Sequence, residues 1–102
     1  MAKSRLELQT LLEELLGSRN VYYQPPESVK MRYPAIVYER SKIEYRHAND
    51  SAYMQSRVYE LTVIDDDPES DIVDRIALLP MCRYDRRFVS DNLYHDTFTI
   101  YF

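Results

Sequence analysis

One cysteine, one glycine and no tryptophan occur in these 102 residues. With Cys82 alone there is no internal disulfide and no metal-ligand spacing, and a cytoplasmic site of synthesis is the default expectation. With Gly17 alone there is no phosphate-cradling loop, so turns must be built from Asn, Asp and Ser. No apolar run approaches the length of a membrane span, because charges interrupt every candidate. The opening residues Met1 to Thr10 carry two basic side chains with no apolar run behind them, so neither a signal peptide nor a membrane partner is expected. A basic excess is also missing: 13 Lys and Arg face 17 Asp and Glu, for a net charge of −4. Tight nucleic-acid binding draws most of its affinity from phosphate neutralisation, so the balance argues against DNA or RNA as a firmly held partner. It allows a duplex to pass beside a mildly acidic wall.

Tyrosine is the conspicuous surplus, at 10 residues. It pairs a large apolar body with a polar tip, which suits subunit contacts, and it also simply fills strand positions in a small sheet. The length and the 45% hydrophobic content suit one domain over residues 1–102 with a modest core.

Arg57 to Leu79 organises the rest. Tyr59, Leu61 and Val63 alternate with Glu60 and Thr62 at period two, which predicts a half-buried strand. Asp65-Asp66-Asp67-Pro68 breaks it. Asp67 is placed to cap a following helix, with Pro68 at its first position and Glu69 and Asp71 in the first turn. Ile72, Val73, Ile76, Ala77 and Leu79 form the apolar stripe, and Pro80 ends it.

Upstream, Ser4 and Glu7 match a capping box. Leu8, Leu11, Leu12 and Leu15, widened by Leu16, recur at helical spacing, with Glu7, Gln9, Thr10, Glu13 and Glu14 on the other side. Gly17 suits a left-handed stop. Asn20 to Gln24 reads as a short strand and Pro25 to Ser28 as a stiff linker. Ala35 to Glu39 reads as a central strand, apolar on both faces. From Arg40 to Arg57 the alternation persists but apolar density falls, with a turn at His47 to Ser51. This predicts the outer half of a long β-hairpin projecting past the core. Downstream, Met81 to Val89 and Leu93 to Phe102 form a second hairpin about Ser90-Asp91-Asn92, with Phe98, Ile100 and Phe102 on one face. The expected class is α+β: a mainly antiparallel sheet with a long hairpin arm, packed against two helices.

Catalytic chemistry is hard to find. The carboxylates of Asp65 to Asp71 fail as a calcium loop, since the positions wanting Gly and Glu hold Ser70 and Ile76. Cys82 and His95 fall in neighbouring strands and supply the one conceivable nucleophile pair, yet nothing marks either as activated. Arg83, Arg86 and Arg87 with Tyr84 and Phe88 read as a solvent-facing strand or subunit contact more readily than as a nucleic-acid patch. No catalytic residue, metal or cofactor is expected.

Charge segregation is more informative. The arm is basic, and the strand-to-helix corner is strongly acidic. A projecting arm does not easily fold back onto that corner, whereas a neighbouring copy can accept it. The expected contact sets Arg40, Lys42, Tyr45, Arg46, Tyr53 and Arg57 of one copy against Asp65, Asp66, Asp67, Glu69 and Asp71 of the next. Such a heterologous contact closes a ring when repeated about an axis.

Tyr33-Pro34-Ala35-Ile36-Val37-Tyr38, the run Arg57 to Asp65 with Asp67-Pro68, Asp91-Asn92-Leu93-Tyr94-His95 and the closing Phe98 to Phe102 resemble small proteins of the head–tail region of long-tailed bacteriophages. The resemblance is to tail-terminator, or tail-completion, proteins and covers nearly the whole chain. It implies an α+β structural subunit of the virion, assembled as a homo-oligomeric ring, a hexamer in that family. The ring caps the tail tube protein, ends tube growth and meets the head–tail connector, while DNA passes through the lumen without specific binding. Those proteins carry no active site. On the residues alone three other classes stay open: another neck component such as a connector adaptor or stopper, a small phage-encoded regulator or enzyme, and a DNA-binding module.

Overall fold

The computed structural model describes residues 4–25, 30–48 and 52–102, with backbone alone over 42–48 and 52–56. Helix α1 spans Arg5–Leu16 and begins as the capping-box pattern requires, with the Ser4 hydroxyl accepting the Glu7 N–H at 3.3 Å. It stops at Gly17, whose φ of 80° lies in the left-handed region, and whose N–H reaches the Glu13 carbonyl at 2.9 Å. Leu8, Leu12 and Leu16 are buried, while Leu11 and Leu15 are half-buried at the margin of the stripe. Gln9 departs from its expected solvent position. Its amide donates to the Val21 carbonyl at 3.1 Å, and its side-chain oxygen accepts from the Tyr38 hydroxyl. Arg5 completes this latch by donating to the same hydroxyl at 3.1 Å.

Five strands form one sheet in the order β1-β2-β3-β5-β4. They are β1 (Val21–Tyr23), β2 (Ala35–Ala48), β3 (Ala52–Asp65), β4 (Cys82–Ser90) and β5 (Leu93–Tyr101). The β1–β2 pairing is parallel and the other three are antiparallel, which is the expected α+β class. Tyr59, Leu61 and Val63 share the covered face with Ile36, Tyr38, Phe98 and Ile100, under Leu8, Leu12 and Leu16 of α1 and Ile72 and Ile76 of α2 (Asp71–Ala77). The opposite face, with Glu60, Thr62, Thr97 and Thr99, carries no helix among the described residues, as half-buried antiparallel sheets allow.

The β4–β5 turn is a two-residue loop, Asp91-Asn92, with φ of 53° and 62°. Positive φ at both central positions matches the right-handed twist of the strands, and Asp and Asn tolerate it without glycine. The expected linker from Pro25 lies mostly outside the described residues, and so does the centre of the turn expected at His47 to Ser51.

Two expectations about α2 are corrected. Ser70, not Asp67, is its cap, with the Ser70 hydroxyl accepting the Ile72 N–H at 3.4 Å. Pro68 precedes the helix instead of opening it. The cause is local competition: Asp65 Oδ1 accepts the Asp67 N–H at 3.1 Å and Asp67 Oδ1 accepts the Glu69 N–H at 2.9 Å. These two side-chain turns use the aspartates before a helix can form. The stripe is also narrower than expected, since Ala77 is exposed.

Leu61 is wholly buried at the centre of the covered face. Leu61→Ala should lower the unfolding free energy by about 2–5 kcal/mol, read from the urea midpoint. At Gly17 nothing lies within 4 Å of an added Cβ, so Gly17→Ala should cost only the backbone strain, about 1 kcal/mol in the same assay.

Candidate assembly surfaces

The last β3–β5 pair is Val58 with Tyr101, and β1 accompanies β2 only as far as Tyr38. Beyond those points β2 and β3 pair with each other alone, from Ile43↔Arg57 to Ala48↔Ala52. At ~3.4 Å per residue this two-stranded ribbon runs about 17 Å past the body of the sheet. A bulge between Arg40 and Lys42 marks its root, where Ser41 Oγ donates to the Val58 carbonyl at 3.1 Å. Arg40 is exposed and Arg57 partly buried. The side chains of Lys42, Tyr45, Arg46 and Tyr53 lie outside the described residues.

The acidic corner stands at the other end of the same strand. From Ala52 to Asp65, β3 covers about 43 Å at ~3.3 Å per residue, most of the longest dimension of 51 Å. Arm and corner are therefore opposite poles of one subunit. Asp66, Asp67, Glu69 and Asp71 are exposed. Asp65 is not: it retains 8% of its surface and its carboxylate is folded into the turn. The expected acidic surface loses that member.

The arginines of β4 are built into the edge of the sheet. A bulge between Tyr84 and Arg86 interrupts the strand, a device that discourages edge pairing. Arg87 donates to Asp96 through Nε at 2.9 Å and through Nη2 at 3.2 Å, and Tyr84 donates its hydroxyl to Asp96 Oδ1 at 2.8 Å. Arg83 lies 3.7 Å from Asp85, whose other oxygen accepts the Thr99 hydroxyl at 2.7 Å. Arg86 lies over the Phe88 ring, which stacks on His95 with centroids 4.7 Å apart. Burial, aided by the hydrogen bond to Asp96, holds the Tyr84 phenol above its ordinary pKa.

Asp96 is the member of this cluster that no sequence motif singles out, except as a neighbour of His95. It retains 3% of its surface. A signal does exist: extending the Phe98, Ile100, Phe102 alternation two residues back places a carboxylate on the covered face, where a charge must be paired.

Cys82 and His95 do not meet. Cys82 stands opposite Ile100 on the covered face, whereas His95 stands opposite Phe88 on the other. Desolvation, reinforced by Asp85, pushes the Cys82 thiol up to about 11.

Arg87→Ala leaves the buried Asp96 carboxylate with only Tyr84, and should destabilise the fold by about 3 kcal/mol in a urea titration. Compared with a thiol at its ordinary pKa of 9.0, Cys82 should react with iodoacetamide about 100-fold more slowly at pH 8, its rate climbing as pH approaches 11.

No protein-family model matches this chain, and no curated protein matches it either.

Proposed function

We propose that this chain is a structural subunit of a long-tailed phage virion, a tail terminator that assembles as a ring at the end of the tail tube. The observation that carries the reading is the division of β3 into two poles: an arm that carries Arg40, Lys42, Arg46 and Arg57 against Glu44 and Asp50 at one end, and an exposed acidic turn at the other. Opposite charge at opposite ends favours a contact between different patches of successive copies, and a fixed rotation at each contact closes a ring. The resemblance at Tyr33 to Tyr38, Arg57 to Asp65 and Phe98 to Phe102 is what supports placing that ring at the junction of tail and head.

The action is edge capping. One face of the ring matches the tube end and the other does not recruit a further tube subunit, so growth stops there. That second face meets the connector, and the genome passes through the centre without being gripped. Each step uses shape and self-contact, and no covalent bond changes.

Arg40→Glu/Lys42→Glu/Arg46→Glu reverses the basic residues of the arm and alters none of the buried core residues. The triple variant should keep its circular-dichroism spectrum and fall from ring to monomer mass by light scattering. Unchanged assembly mass would rule out the arm contact. Purified tail tubes should acquire the wild-type protein at one end only; binding to the connector without binding to tubes would overturn the terminator assignment.

A further inference from the structure

We propose that the helix-free face of the sheet pairs weakly with the same face of a second copy, about a two-fold axis lying along the strands between β3 and β5. The inference goes beyond the ring reading and does not rest on it, since the acidic turn takes no part in this contact.

The register lays charge across that face in an ordered way. One transverse row reads Glu39, Glu60, Thr99, Arg83 from β2 to β4. The row beside it reads Val37, Thr62, Thr97, Arg86. The β2–β3 side therefore presents Glu39 and Glu60, and the β4 side presents Arg83 and Arg86. All four side chains are exposed, that of Arg83 to 69%. Glu39 and Glu60 stand directly opposite each other, a cross-strand pairing of like charges that an approaching cation relieves. Two further charges share the face. Lys42 falls on the acidic side, opposite Val58. Asp85 falls on the basic side, 3.7 Å from Arg83 and accepting the Thr99 hydroxyl at 2.7 Å. Each tempers its side without reversing it.

The two-fold turns this gradient onto itself. Rotation about an axis along the strands lays each row over its own image and reverses it. Glu39 of one copy then lies over Arg83 of the other, and Glu60 over Thr99, twice by symmetry. An axis across the strands would lay the acidic side over its own image, which like charge opposes. Facing sheets pack about 10 Å apart, a gap that a glutamate and an arginine span together. A solvent-open depression of about 280 Å³, lined by Glu60, Thr62, Thr97 and Arg86 among others, gives Glu60 of the second copy room beside Arg86. The face is small beside a standard interface and threonine-rich at its centre, so pairing belongs at submillimolar concentration.

Sedimentation equilibrium in that range tests the contact, in a parent chain carrying Asp66→Lys/Glu69→Lys so that the proposed arm contact is disabled. This parent should be a mixture of monomer and dimer. Adding Glu39→Arg/Glu60→Arg, or instead Arg83→Glu/Arg86→Glu, gives the face one predominant sign and should weaken dimerisation about 10-fold or more. Both variants should keep the parent's circular-dichroism spectrum, because the altered side chains are exposed. Mixed in equal amounts, they should pair as well as the parent does, since each reversed side then meets its opposite. Glu14→Lys, exposed on α1, should leave dimerisation unchanged. A parent that stays monomeric, a mixture that does not regain pairing, or an equal loss with Glu14→Lys would overturn the face contact. The ring reading, judged on the mass of the wild-type assembly, would be untouched by any of these.

Discussion

The fold depends on covering one face of one strand. Tyr59, Leu61 and Val63 leave no solvent-tolerant position on that side of β3, so two helices must lie across it. The neighbours conform to this constraint. Ile36 and Tyr38 on β2, and Phe98 and Ile100 on β5, are in register with that row, and a slip by one residue on either strand would turn its apolar set outward. Because the helices cover only the middle of the sheet, both ends of β3 are left to other uses: a ribbon at one, an acidic turn at the other.

Legibility in the sequence follows how local each signal is. Ser4, Glu7 and Gly17 bracket α1 because caps are decided within a few residues, and Asp91-Asn92 closes its hairpin for the same reason. Phe98 and Ile100 announce a buried strand face by alternation alone. The cap of α2 is not legible in this way, because two local rules compete there. Aspartates that cap helices also close turns, and the sequence does not rank the two uses. The latch of Gln9 and Tyr38 spans 29 residues of chain, and no periodicity within either element indicates it. The grip of Arg87 on Asp96 depends on the β4 bulge, which swaps the faces of the residues that follow it. Arm and corner can be named from charge, but that they lie at opposite ends of a single strand emerges only from the register. Asp65 counts toward the acidic surface by composition and not in the structure, because charge alone does not distinguish a carboxylate facing water from one closing a turn.

Separated poles constrain how copies meet. In the proposed ring, arm facing arm, or corner facing corner, would set like charges together, so approach would be biased toward unlike ends. The two lateral edges contribute less. β1 is three residues long, and β4 is interrupted by its bulge and bears Arg83, Asp85, Arg86 and Arg87. Both are ways by which a sheet avoids adding strands sideways. Over the body of the sheet the lateral route is blunted while the polar one remains open, which accords with the proposed ring.

The β2–β3 hairpin has a mechanical consequence. Its ladder runs from Ala48↔Ala52 to Ala35↔Ile64, with the hydrogen bonds lying across the strand direction. A pull between the outer end of the ladder and the acidic turn runs along the covalent backbone of β3, which hardly stretches, whereas a sideways pull would open the ladder bonds in succession. The subunit is thus stiff along its length and yielding across it, an anisotropy suited to a part that transmits axial load without stretching.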